Sequence, residues 1–98
     1  MSTLVTEREV FAQSISFTEN AMTVFLDDGR SVSVPLAWHP RLLAGTLGER
    51  QHYELIGDGE GIHWPDLDED ISVEGILAGK RSYESDESLS RWLQKRRN

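Results

Sequence analysis

The chain reads as a small α+β domain: a small antiparallel sheet built around a hairpin, packed against two or three short helices. Three observations predict this. Apolar residues alternate with period two through the first third, with a turn signal at Asp27-Asp28-Gly29. After Asp70 the apolar spacing changes to three and four. And 98 residues with 38% hydrophobic content suit one modest core, so residues 1–98 are read as a single domain.

The first predicted strand covers residues 9–18, with Phe11, Ile15 and Phe17 at even spacings, and polar Glu19-Asn20 breaks it. The second covers 21–27, where Met22, Val24 and Leu26 alternate, and the third carries Val32, Val34 and Leu36. The register between these two follows from their apolar faces. A two-residue loop, Asp28-Gly29, sets Val24 opposite Ser33, whereas a three-residue loop sets Val24 opposite Val32 and Met22 opposite Val34. Only the second choice buries one apolar face, so Gly29 is expected in the left-handed region as a bulge residue. Pro35 has no N–H to give to a ladder, which places the third strand at an edge.

Pro40 suits the first turn of a helix running to about Leu47, with Leu42, Leu43 and Leu47 facing the core. Residues 52–56 form a further strand, Gly57, Gly59 and Gly61 a tight loop, and Ile62-His63-Trp64 a short apolar piece stopped by Pro65. Ile71, Val73, Ile76 and Leu77 suit a short helix capped by Ser72 or Asp70 and ended by Gly79. A final helix starts near Ser85 or Asp86. Its acidic first turn and basic last turn (Lys95 to Arg97) complement the helix dipole, and Leu89, Trp92 and Leu93 share one face.

Composition excludes several functions. With no cysteine there are no disulfides, no thiolate chemistry and no sulfur-ligated zinc. The start has no apolar signal region and no run is long enough to span a bilayer, so a cytoplasmic setting without membrane contact is expected. A net charge of −7 opposes direct nucleic-acid binding. That charge is concentrated: Asp58, Glu60, Asp66, Asp68, Glu69, Asp70 and Glu74 occur without one Lys or Arg among them, whereas the C-terminal end carries Arg91, Lys95, Arg96 and Arg97.

The segment from Gly57 to Asp70 is the chemically richest. Asp66, Asp68 and Asp70 match the opening of a calcium loop, but Ile71 stands where its glycine belongs and Leu77 where its bidentate Glu belongs. His63 with the nearby carboxylates offers acid–base groups but no nucleophile motif. The competing structural reading is a glycine turn, a short strand and carboxylates capping the next helix. The glycines Gly57, Gly59 and Gly61 lack the lysine and the spacing of a phosphate loop. Trp38-His39-Pro40-Arg41 reads as a strand-to-helix corner with a core Trp, and no helix-turn-helix reader is present.

Three stretches carry a family resemblance: Val32-x-Val34-Pro35-Leu36-x-Trp38-x-Pro40-Arg41-Leu42, then Glu54-Leu55-Ile56-Gly57, then the run from Gly61 to Gly79 that contains Ile62-His63-Trp64-Pro65-Asp66-Leu67-Asp68-Glu69-Asp70. From about Val24 to Gly79 the chain resembles the bacterial domain of unknown function DUF2442. The resemblance implies a small α+β domain with no established catalysis. Some members are fused to a helix-turn-helix domain or sit beside toxin-like partner genes.

The resulting expectation is an acidic protein-interaction or regulatory module of antitoxin type, not an enzyme. Its surface is Asp58, Glu60, His63, Trp64, Asp66, Asp68, Glu69, Asp70 and Glu74, and its partner is a basic protein. No cofactor is expected, and no residue is assigned a catalytic or metal-binding role. The alternatives are a small metal-dependent or acid–base enzyme centred on His63, and a homodimer formed through the hairpin edge or the last helix.

Overall fold

A computed structural model describes residues 9–97. Strands β1 (Ala12–Phe17), β2 (Ala21–Leu26) and β3 (Ser31–Pro35) form one antiparallel sheet in the order β1-β2-β3. A 3-10 turn (Leu36–Trp38) leads to α1 (Pro40–Ala44) and α2 (Leu47–Gln51). A second antiparallel sheet follows, β4 (Glu54–Ile56), β5 (Gly61–Trp64) and β6 (Glu69–Ser72), with β5 central. Then come α3 (Val73–Leu77) and α4 (Asp86–Arg97). The architecture is α+β, with two three-stranded sheets where the sequence predicts one small sheet.

The β2–β3 register is the one the apolar faces demand: Met22 opposite Val34 and Val24 opposite Val32. Leu26 N–H donates to the Arg30 carbonyl, Gly29 N–H returns to Leu26, and Gly29 sits at φ +94°. Pro35 ends the edge strand β3.

Met22, Val24, Leu26, Val34, Leu36 and Leu42 share a core with Ile62, Trp64, Leu67, Ile71, Val73 and Ile76, so both sheets and α3 close over one apolar cluster. Each such side chain contributes about 1.5–3 kcal/mol by burial. An exposed ion pair such as Arg91–Glu87 contributes at most about 0.5 kcal/mol. Burial therefore holds the fold.

The helix predicted from Pro40 stops early. α1 ends at Ala44, because Gly45 lies in extended conformation. A Cβ at Gly45 would meet both Leu67 methyls at 2.9 Å. Thr46 then starts α2 with a capping box: its hydroxyl accepts from Glu49 N–H, and the Glu49 carboxylate accepts from Thr46 N–H. The break turns Leu43 and Leu47 outward, 47% and 55% exposed, so of the three leucines only Leu42 reaches the core. The stretch from Asp70 is likewise two elements, not one helix. Ile71 pairs across the sheet with Ile62, and only at Ser72, whose hydroxyl accepts from Gly75 N–H, does α3 begin.

The two sheets are joined at the glycine loop. Gly57, Asp58 and Gly59 all have positive φ, and Gly59 lies against the β1 backbone at Ala12. Tyr53 adds a second tie, its hydroxyl accepting from Ile15 N–H.

Candidate functional site

The acidic segment does not form one surface. Its members divide into three groups according to what each side chain meets.

The first group is already engaged by side chains of the same chain. The β5–β6 turn presents Asp66 to His52 Nδ1 at 2.7 Å, and that contact raises the His52 pKa. Asp68, in the left-handed region at φ +52°, faces Arg41, whose Nη1 donates to its carbonyl at 2.9 Å and lies 3.4 Å from Oδ2. Asp70 lies opposite His63 in the ladder and contacts its Nδ1 at 2.6 Å. The three aspartates that suggest a calcium loop thus engage three separate cationic or imidazole partners. Among the described residues no group of His, Asp and Glu is placed to hold a metal ion. Nor do they cap a helix: Ser72 caps α3, and they precede it in a turn and a strand.

The second group is buried. Trp64 is fully buried, its indole N–H donating to the Arg50 carbonyl at 2.9 Å, so it cannot belong to an interaction surface. Glu69 is half-buried on the inner face of β6, with Oε2 4.0 Å from His39 Nδ1. Burial raises the Glu69 carboxyl pKa, while the Asp70 N–H and Arg41 pull it down less strongly. His39 is 5% exposed, and burial lowers its pKa. At the Trp38-His39-Pro40-Arg41 corner it is therefore the imidazole that is most deeply buried. Trp38 is half-buried and carries the Arg81 guanidinium 4.2 Å above its ring.

The third group remains exposed at one end of the second sheet. Glu60 follows the glycine loop and Glu74 occupies the first turn of α3. Together with Glu9 they edge a groove of about 490 Å³ whose apolar wall includes Val10, Ile56 and Leu77. Ile56 and Leu77 are 48% and 42% exposed, and among the described residues no Lys or Arg lines the groove. Asp58 stands on the adjoining loop and is exposed.

His63 and Asp70 form a His–carboxylate pair, but among the described residues no hydroxyl bonds to the imidazole. The pair lacks the nucleophile that acyl transfer needs.

Sequence reasoning did not find Arg41 as a junction. Its guanidinium donates from Nε and Nη2 to Glu84, from Nη1 to Asp68, and lies 5.1 Å from the Trp92 ring centre. It thereby ties α1, the β5–β6 turn and the approach to α4 together. The contact with Glu84 spans more than forty positions in sequence, and no local pattern signals it.

The family description "Protein of unknown function (DUF2442)" matches residues 12–82. The chain belongs to the DUF2442 family. Both sheets and α3 lie within the matched residues, whereas α4 begins after them. A crystal structure of a protein of unknown function from Rhodospirillum rubrum ATCC 11170 is similar at 25% identity and TM-score 0.68, over 79% of this chain and 95% of that one. The solution structure of an uncharacterized protein from Chromobacterium violaceum shares the fold at 20% identity and TM-score 0.64, over 83% and 74% of the two chains. No curated protein matches. Within the described residues of this DUF2442 chain, no helix is long and apolar enough to cross a membrane.

Proposed function

We propose that this DUF2442 chain is a cytoplasmic protein-interaction module, regulatory in the antitoxin manner, whose acidic site is the groove at Ile56 and Leu77. The observation that carries the reading is a groove with exposed apolar walls, three carboxylates and, among the described residues, no cation. A basic, partly apolar segment of a partner fits it. Apolar contact with Ile56 and Leu77 supplies affinity, and Glu9, Glu60 and Glu74 set the encounter rate and the choice of partner. Asp66, Asp68 and Asp70 contribute less, because side chains of the same chain already engage them.

The test is affinity capture from the host lysate with the parent, a Glu60→Lys/Glu74→Lys variant and a Glu19→Lys control in the exposed β1–β2 turn. The expected result is a partner held by parent and control and lost by the groove variant, with slower capture by the parent at higher salt. Retention by the folded groove variant refutes the assignment.

A further inference from the structure

A second trough, of about 270 Å³, runs along the free edge of β6. All four strand residues from Glu69 to Ser72 line one side, the segment from Lys80 to Tyr83 lines the other, and His39 lies at its floor.

The hydrogen bonding of this edge follows from the register. Val73 N–H donates to the Glu60 carbonyl at 3.0 Å. The ladder then continues through Gly61 opposite Ser72, Ile62 opposite Ile71, His63 opposite Asp70 and Trp64 opposite Glu69. Antiparallel pairs alternate between bonded and non-bonded. Ile71 and Glu69 therefore bond inward to β5, and Asp70 and Ser72 turn their backbone groups toward the trough. Two of those four groups are already drawn elsewhere. The Asp70 N–H acts on the neighbouring Glu69 carboxylate and lowers its pKa, and the carbonyl of Ser72, as N-cap of α3, accepts the first helical bond. The Asp70 carbonyl and the Ser72 N–H remain. That is the pair which a single residue of a parallel neighbouring strand bonds, one through its N–H and the other through its carbonyl. An antiparallel neighbour would need both groups of one residue.

The side chains define what fits. A ligand residue opposite Ile71 directs its side chain to the inner face of β6, where Glu69 lies beside His39. The lysine stem can pass Ile71 and its ammonium can meet Glu69. Nearby cations do not fill that place: Arg81 is stacked on Trp38, the Lys80 stem lies along Gly75, and Arg41, which acts on Glu69 by charge, makes its bonds to Glu84 and Asp68. Tyr83, 88% exposed, stands at the rim and offers a ring to the next ligand side chain.

We infer that the β6 edge binds an extended peptide segment of a partner protein, parallel to β6, with a lysine opposite Ile71 whose ammonium meets Glu69. This is strand addition to an open edge, in which backbone bonds give affinity and one pocket gives selectivity. It is independent of the groove at Ile56 and Leu77.

The test uses the full chain, isotope-labelled, and blocked pentapeptides of Thr and Val with a central lysine. The controls are the same peptide with that lysine N-methylated on its backbone nitrogen, and one with a central glutamate. N-methylation removes the bond to the Asp70 carbonyl and leaves the protein untouched. The expected result is a saturable downfield movement of the Ser72 amide resonance with a midpoint of about 1 mM, and at least tenfold weaker binding of both controls. In Glu69→Gln the lysine peptide should lose its advantage over the glutamate peptide. A Ser72 amide unmoved at about 10 mM peptide, or equal binding by the N-methylated peptide, overturns the inference. Movement confined to Ile56 and Leu77 also overturns it, while supporting the groove as a site.

Discussion

Gly59→Ala should be among the most damaging small substitutions in this chain, and its cost can be worked out. Gly59 sits at φ +108°, where an L-residue costs about 1–3 kcal/mol. The added Cβ would also stand 2.3 Å from the Ala12 carbonyl oxygen, 3.0 Å from its nitrogen and 3.1 Å from Phe11 Cβ. Two of these atoms are β1 backbone and cannot rotate away. Relief requires moving the loop off β1, which disturbs buried Ala12 and the joint between the sheets, in the overpacking range of about 1–3 kcal/mol. The sum is about 2–6 kcal/mol, set against a total stability of about 5–15 kcal/mol for a domain of this size. At about 4–8 °C per kcal/mol, the melting temperature should fall by at least about 8 °C. Gly29→Ala is the control: its φ is +94°, but a Cβ there meets nothing within 4 Å. It should lose only the conformational part. Circular dichroism melts of the two variants beside the parent decide the matter. If Gly59→Ala melts no lower than Gly29→Ala, the close approach of the glycine loop to β1 is not what joins the sheets.

Three further outcomes are expected. Glu69→Gln should raise stability at neutral pH and change it little near pH 4. A carboxyl whose pKa is raised in the fold favours folding fully below its ordinary value of 4.5, and that advantage is lost as pH rises through the folded value; paired urea titrations at the two pH values check this. Arg41→Met should cost about 1.5–3 kcal/mol at pH 7, because it strands Glu84 beside Ser88 and uncovers Trp92. The same variant should lose less on acidification than the parent. Arg41 holds the Glu84 carboxyl below 4.5, so that stabilisation is complete above 4.5 and disappears as pH falls through the lower folded value. A parent and variant with parallel acid limbs in a pH series of melts would contradict the assigned pairing.

The hairpin was legible because its register is decided by two alternating strands and one glycine, all local in sequence. The Ser72 cap and the apolar face of α4 were legible for the same reason. The Thr46-x-x-Glu49 spacing of the capping box was equally available and marks the start of α2, which the apolar pattern passed over as the tail of the helix from Pro40. What escaped was everything set by distant pairing. Seven carboxylates without a Lys or Arg in sequence describe an acidic stretch, yet His52 and Arg41 approach it from other elements, and His63 within it turns to Asp70 across the ladder. His39 gives no sequence sign that it will sit beside Glu69, because the two lie thirty residues apart and meet only in the folded chain.

The position of α4 explains why the groove stays acidic. Its basic residues could in principle neutralise Glu60 and Glu74, since opposite charges on one chain attract. The apolar face prevents this. The guanidinium groups of Arg41 and Arg96 lie 5.1 and 4.9 Å from the Trp92 ring centre, and Arg96 bonds Glu49 of α2. Docking of an aromatic side chain against two cations fixes the helix against α1 and α2, and no α4 residue lines the groove. Arg96 is consequently spent on Glu49 and Trp92, and among the described residues no cation faces the groove carboxylates. Trp92→Ala should therefore weaken more than packing: once released from Arg41 and Trp92's anchorage, the basic helix becomes a competitor for the groove. Capture of a basic partner by that variant should fall at low salt and recover as salt screens the intramolecular attraction, an order opposite to that expected if α4 took no part.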